Sequence, residues 1–223
     1  RCHVGLFAGR GALETAVQNL GGTISMLVEK DPVARAMLRR KFPDAVIVED
    51  FDDTDWHDWK RNSTSALGVL AGPPCGFLAP SGKGCFLTDP RARYMIGIGT
   101  IACALEPDTI DIETLYTIAD ADGACALTKI DEVLNAANYR RVIPSNVTGV
   151  ERIRAATHGS AVFRNRVLLH YERKDIGLPR LPRRAVPNAD AVAETLTSHL
   201  VSKADTPEDS FIGGAIIRLH EPR

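Results

Sequence analysis

The sequence predicts an α/β fold: a doubly wound, mostly parallel sheet with an antiparallel strand pair at its end and a small C-terminal appendage. Three observations predict it. Over about two thirds of the 223 residues, short apolar runs alternate with longer amphipathic stretches. Two β-like runs then follow with no helical pattern between them, and beyond Arg173 an Arg-rich segment is punctuated by Pro179, Pro182 and Pro187. With 44% hydrophobic and 25% charged residues, the composition is that of an ordinary globular chain able to bury a core without staples, which argues against disorder, collagen and coiled coil.

The elements follow in order. Val4 to Phe7 reads as a strand, and Gly11 to Leu20 as a helix entered through a glycine turn. Thr23 to Val28 is a second strand. Asp31-Pro32 supplies a cap and a first-turn proline for a helix from Pro32 to Lys41. Ala45 to Val48 and Leu67 to Ala71 are short apolar runs that read as the third and fourth strands. A helix is expected from Arg91 to Leu105, a buried strand from Thr109 to Ile112 and a helix from Thr128 to Asn138. This βαβα rhythm signals a parallel sheet with helices on both faces. Arg141 to Val147 and Arg164 to Tyr171 form the expected antiparallel pair. The appendage holds a helical candidate from Ala189 to Leu200 and a strand-like run from Ala215 to Leu219.

Five cysteines without a C-x-x-C spacing argue against a disulfide framework and a structural zinc site, so no metal is predicted. No apolar run reaches the ~20 residues that cross a bilayer, and no signal peptide is visible at the start. A cytoplasmic protein without a membrane partner is expected, nuclear in a eukaryote. The formal net charge of -1 and pI near 6.7 announce no polyanionic partner. That average hides a contrast. Between Arg140 and Arg184 there are eleven Arg or Lys residues against Glu151, Glu172 and Asp175, whereas Asp44 to Asp58 holds seven acids. The net charge is therefore an average of a basic segment and an acidic one.

Ligands of an open parallel sheet bind beyond the carboxyl ends of its strands. Four strand ends carry distinctive groups here: Phe7-Ala8-Gly9-Arg10-Gly11, then Glu29, then Asp50, then Gly72-Pro73-Pro74-Cys75. A dinucleotide fingerprint would place a third glycine at position 14, where Glu14 stands, so the turn suits a nucleoside without a pyrophosphate. Glu29 is placed to accept from a ribose diol, and Asp50 from an exocyclic amine such as adenine N6. Singly, such carboxylates are helix caps or solvated turn residues more often than ligands. At consecutive strand ends they favour an adenosine site. Cys75 follows two prolines that stiffen the backbone and opens a Gly-, Pro- and Ser-rich loop, the setting of a nucleophile. Cys85 in the same loop is a minor competitor. Cys2, Cys103 and Cys125 read as buried, inert small hydrophobes.

The segments LFAGRGALETA, VEKDPVARAMLRRKFP, AGPPCGFLAPSGK, DPRARYM, DIETL and ATHGSAVFRNRVLL, in this order over residues 4 to 171, resemble the motifs of the DNA cytosine-5 methyltransferases. The resemblance implies a Rossmann-like, S-adenosylmethionine-dependent catalytic domain over residues 1–172 and a short target-recognition region over 173–223. It implies methyl transfer to carbon 5 of a cytosine flipped out of double-stranded DNA. Cys75 matches the family nucleophile, Glu113 the acid that supports the ring at N3, and Arg164 and Arg166 the paired arginines that hold the base carbonyl. For the cofactor it carries over Phe7, Gly9 and Gly11 around the methionine part, Glu29 at the ribose, Asp50 with Phe51 near the adenine, and Pro74 and Tyr94 as packing contacts.

The sequence departs from the family pattern at several positions. Thr114 stands where the family has Asn, Val162 where it has Gln, Gly76 where Gln is common and Ala79 where Ser is common. The C-terminal Gly-Asn-x-Val motif is not found. The fifty or so residues after 172 are few for reading a sequence in the major groove, so a short or relaxed sequence preference is expected. Two other readings stay open: transfer to tRNA, and a weakened binding module or half of a split enzyme that needs a partner chain to supply the missing motif.

Overall fold

The structure is a computed structural model, and it describes residues 2–61, 67–76, 89–119, 124–142, 153–154 and 165–176. The chain divides into two compact units, Arg1–Ile153 with Asn165–Leu181, and Arg154–Arg164 with Pro182–Arg223. Nearly all the described residues belong to the first.

Eight strands form one sheet: β1 (Cys2–Leu6), β2 (Thr23–Val28), β3 (Val46–Val48), β4 (Leu67–Ala71), β5 (Thr109–Leu115), β6 (Tyr139–Val142), the two-residue β7 (Ile153–Arg154) and β8 (Asn165–Arg173). Their order is β3-β2-β1-β4-β5-β8-β6, with β7 also paired to β8. The first five strands run parallel, and β8 runs antiparallel to both β5 and β6. The expected mostly parallel sheet with an antiparallel end is therefore observed. From β1 the chain winds outward to β2 and β3, then returns to β4 on the other side of β1. That reversal makes a switch point where the turn after β1 and the segment after β4 lie side by side. The Gly72 N–H donates to the Leu6 carbonyl at 3.0 Å across it.

Among the described residues five α-helices flank the sheet: α1 (Ala12–Asn19), α2 (Pro32–Lys41), α3 (Trp56–Arg61), α4 (Ala92–Leu105) and α5 (Ala124–Ala136). α2 shows why its ends were legible. The Asp31 carboxylate accepts from the Val33 N–H at 2.8 Å, Pro32 takes the first turn, and Arg39, Arg40 and Lys41 complement the dipole of the last turn. One face of the sheet buries Val4, Leu6, Val69, Ile110 and Ile112 against Met95, Ile98, Ile101, Leu105, Ile130 and Leu134 of α4 and α5. The opposite face packs Ile24, Leu27 and Leu70 against Leu38 and Phe42 at the end of α2. Asp131 of α5 accepts from Arg141 twice at 3.0 Å and from the Tyr171 hydroxyl at 2.8 Å, fastening the β6–β8 edge to the helix layer.

Several expectations need correction. β1 ends at Leu6, and Phe7 takes a left-handed φ of 56° instead of closing the strand. β5 runs on to Leu115, so Glu113 lies inside the strand rather than at its end. Glu113 and Thr114 break the apolar run and hide this extension; on β8 Glu113 lies opposite exposed Leu168, and Thr114 opposite buried Val167. α3 was not expected, since it sits in the acidic run with only Trp56 and Trp59 as apolar anchors. α5 begins at Ala124, one turn before the predicted start. Cys103 and Cys125 are exposed and Cys2 is only half-buried, so none of the three is the buried hydrophobe expected. The end of the predicted run 141–147 and the elements over 189–200 and 215–219 lie outside the described residues.

Candidate active site

The turn after β1 is built from three left-handed residues, Phe7 (φ 56°), Gly9 (φ 55°) and Gly11 (φ 77°). Gly11 is the N-cap of α1, and a Cβ there would lie 2.6 Å from Phe42 Cε2 and 2.9 Å from Leu38 Cδ2. Glycine is thus required at this position by both conformation and space. A bulky residue with positive φ, as at Phe7, is uncommon and shows that this turn is held by its surroundings.

Glu29, at the end of β2, ties this turn down. Its Oε2 accepts from the Gly9 N–H at 2.6 Å and its Oε1 from the Asp31 N–H at 2.8 Å. A carboxylate oxygen takes two hydrogen bonds, so each keeps a lone pair for a further donor such as a sugar hydroxyl. Asp50, at the end of β3, pairs with Lys30 at 3.1 Å. Burial pushes its carboxyl up, but the hydrogen bonds from Lys30, Asp52 N–H and Phe51 N–H outweigh burial and hold it below the usual carboxylate range.

Phe7, Phe51 and Tyr94 meet edge to face, with centroids 5.4 to 5.7 Å apart. Phe51 is buried, and its carbonyl accepts from Trp56 Nε1 at 3.0 Å, so the ring is fixed by α3. Arg93 lies 4.8 Å over the Tyr94 ring and donates to the Tyr94 hydroxyl at 3.2 Å. Three aromatic rings thus lie beside a glycine turn and a carboxylate, an arrangement whose ring faces can pack against a planar or cationic group.

The second set of groups follows β4 and lines β5. Pro73 is buried, Pro74 is exposed, and Cys75 is a free, half-buried thiol packed on the core. Ala71 pairs with Ile112, so Cys75 and Glu113 both lie toward the carboxyl edge of neighbouring strands. Glu113 Oε1 is 2.5 Å from Arg166 Nε, a charge contact without hydrogen-bond alignment. Thr114 is fully buried with no hydrogen-bond partner for its hydroxyl among the described residues. Arg164, Val162, Ala79 and Cys85 lie outside the described residues.

Arg91 was given no role from sequence, yet the structure puts it beside the nucleophile segment. Asp89 holds its guanidinium with two hydrogen bonds, of 2.9 and 2.6 Å, and caps its N–H at 2.9 Å. The hydrogen bonds from Arg91 keep the Asp89 carboxyl well below its ordinary range. In this pose Arg91 Nη1 would stand 3.2 Å from a Cβ on Gly76, the residue after Cys75. The Asp-Pro-Arg spelling was the only signal available for it.

Contacts therefore join Gly9 with Glu29, Phe7 with Phe51 and Tyr94, and Glu113 with Arg166. Asp50 joins the first group through strand position, and Cys75 the last. Among the described residues no group of three or more His, Cys, Asp or Glu is placed to hold a metal, and no helix is long and apolar enough to cross a membrane.

The profile of the family described as C-5 cytosine-specific DNA methylase matches residues 3–215. The type II methyltransferase M.PspPI of Psychrobacter sp. (strain TA137) is 28% identical over 137 residues, 61% of this chain and 32% of that protein. The type II methyltransferase M2.BsuMI of Bacillus subtilis (strain 168) is 34% identical over 79 residues, 35% of this chain and 19% of that protein. The chain thus spans a third or less of these curated relatives. Among solved structures, a prophage-encoded E. coli chain described as a DNA modification methyltransferase superposes with a TM-score of 0.63 at 20% identity, covering 78% of this chain and 47% of that one. A Spodoptera frugiperda DNMT2 variant gives 0.59 at 20% identity, covering 82% and 53%. A shared profile over nearly the whole chain, on a sheet of this order with its glycine turn and Pro-Pro-Cys segment at one switch point, places the chain in the C-5 cytosine-specific DNA methylase family.

Proposed function

We propose that this chain carries the catalytic core of a DNA cytosine-5 methyltransferase, with Cys75 as nucleophile and Glu113 and Arg166 as the groups that activate the ring. The observation that carries the reading is the Glu113–Arg166 contact of 2.5 Å on adjacent strands, at the carboxyl edge from which Cys75 also projects. Carbon 5 of cytosine is a poor nucleophile until a thiolate adds to carbon 6. Cys75 makes that bond, and the electron pair of the 5,6 double bond is released toward carbon 5 and the N3 side of the ring. Glu113 presents a proton to N3, and Arg166 fixes its carboxyl and the neighbouring base carbonyl. Arg164 is assigned to the same carbonyl by family resemblance.

S-adenosylmethionine supplies the electrophilic methyl group when bound. The residues present suit it: the turn from Phe7 to Gly11 closes around the methionine part, and Glu29 offers two lone pairs to a ribose diol. Asp50, with Phe51, takes the adenine side, and Tyr94 and Pro74 pack the remaining edges. After methylation, loss of the carbon 5 proton restores the double bond and expels the Cys75 thiolate. The target base must leave its duplex to reach Cys75.

The test is transfer of labelled methyl groups from S-adenosylmethionine to duplex DNA and, in parallel, to tRNA. Cys75→Ala is expected to lower transfer by ~10³-fold or more while still binding the cofactor. Equal transfer by both proteins would remove Cys75 from the mechanism. Transfer to tRNA alone would change the substrate and keep the chemistry. Activity that appears only when a second chain is added would identify a split enzyme.

A further inference from the structure

Glu14 is a charged residue that the reaction does not use, yet it is 2% exposed, directly beneath the glycine turn. It stands in the first turn of α1 and projects onto β1, where Gly5 makes room for it: a Cβ on Gly5 would be 2.4 Å from Glu14 Oε1. In a dinucleotide fingerprint a third glycine lets helix and strand approach. Here the glycine is on the strand, and the helix fills the space with a carboxyl group.

Glu14 Oε2 is buried without a hydrogen-bond partner among the described residues. Burial pushes this carboxyl up to about 7 against the pull of its own backbone N–H and of Lys41, with Glu29 adding to the push. Lys41, at the end of α2, is the charged group that faces Glu14 from across the turn, and Glu29, at the end of β2, is the other. The Lys41 ammonium also reaches the carbonyls of Arg10 and Gly11, at 3.5 and 3.4 Å. The cation whose charge acts on the Glu14 carboxyl is thus hydrogen-bonded to the backbone of the turn above it.

We propose that Glu14 is a positioning residue for the cofactor turn: while neutral it leaves Lys41 on the Arg10 and Gly11 carbonyls, and once ionised it draws Lys41 away and loosens the turn. This rests on the reading that the turn holds S-adenosylmethionine. Neutral Glu14 keeps Gly9 and Gly11 in their left-handed conformations, with the Gly9 N–H anchored on Glu29 from the other side. Ionisation leaves a buried negative charge on which, among the described residues, that same ammonium is the cation acting. Cofactor affinity then falls as pH rises through neutrality.

The direction of the stability change is fixed by the same shift. The folded state holds the Glu14 proton up to about pH 7, whereas an unfolded chain releases it near the ordinary glutamate value of 4.5. The wild type therefore loses stability relative to Glu14→Gln as pH rises between those two values.

The experiment is calorimetric titration of the full chain with S-adenosylhomocysteine from about pH 6 to about pH 8.5, alongside urea unfolding over the same range. The wild-type dissociation constant is expected to rise roughly tenfold across the range, the change that one pK unit of linkage produces. Glu14→Gln, a neutral isostere, should bind tightly throughout, and Lys41→Met weakly throughout. An unchanged pH slope in Glu14→Gln, or a flat wild-type profile, overturns the proposal. If no variant binds at any pH while the unfolding curves still separate wild type from Glu14→Gln, the cofactor reading of the turn is what fails, and the proposal falls with it.

Discussion

The proposed nucleoside half of the site and the proposed ring-activating half are constructed in different ways. The first lies within β1-α1-β2-α2-β3 and is held largely through backbone N–H and carbonyl groups, one of them on the Glu29 carboxylate. Gly9 N–H is anchored on Glu29, Ala8 N–H on the Val28 carbonyl, and Glu29 N–H on the Val48 carbonyl. The second is assembled around β4, β5 and β8, and the residues proposed to act there, Cys75, Glu113 and Arg166, are separated by tens of positions in sequence. It is held by side-chain charge, as in the Glu113–Arg166 and Asp89–Arg91 contacts. A backbone-held site is preorganised before ligand arrives, whereas a charge-held site is tuned by what enters it. The two halves should therefore fail separately.

The largest expected effect breaks the ring-activating half alone. Glu113→Gln keeps the shape but has no acidic proton for N3, and it should lower methyl transfer by ~10²- to 10⁴-fold, the usual range for a positioned acid. Cofactor affinity, measured by titration with S-adenosylhomocysteine, should stay within about twofold, well inside 1 kcal/mol. A parallel loss of cofactor binding would show that the halves are one unit.

Gly11→Ala should break the other half. A left-handed φ costs a non-glycine residue roughly 1–2 kcal/mol, and its Cβ would press on Phe42 and Leu38, which adds a strain of similar size. A loss of about 2–4 kcal/mol in urea unfolding, with weaker cofactor binding, is expected. Full stability in this variant would mean that the turn has room the structure does not show.

Legibility in the sequence follows the same division. β2, α2 and β4 were read to the residue because their signals are local: an Asp-Pro cap, a basic last turn, and apolar runs bounded by glycine. The strand-end acids Glu29 and Asp50 were found from position alone. β5 was cut short at Ile112 because Glu113 and Thr114 break its apolar run, and only its pairing with β8, more than fifty residues on, shows that the strand continues. α3 was hidden because its cap, Asp55 accepting from the Asp58 N–H at 2.9 Å, lies in a run where every other residue is also a plausible cap. Glu14 was noticed only as the absence of a glycine. Its burial depends on Gly5, nine positions earlier on a different element, and nothing local announces a carboxyl group in a helix–strand contact.

The smallest expected effect separates the halves by pH. His170 on β8 lies 2.7 Å from Asp111 and 3.6 Å from Glu172, both on the sheet face of the ring-activating half. Burial alone would push the imidazole down, but Asp111 and Glu172 outweigh it and raise its value above the ordinary 6.5. A raised folded value means that the stabilisation is complete below the unfolded value and is lost as pH rises through the folded one. Because His170 is partly exposed, solvent screening limits the contribution to at most about 1 kcal/mol. His170→Asn should therefore unfold at lower urea than wild type near pH 6 and match it near pH 9, with cofactor affinity unchanged at both. A gap that persists at high pH would assign His170 a packing role, and charge would then hold less of this half than the Asp111–His170 pairing implies.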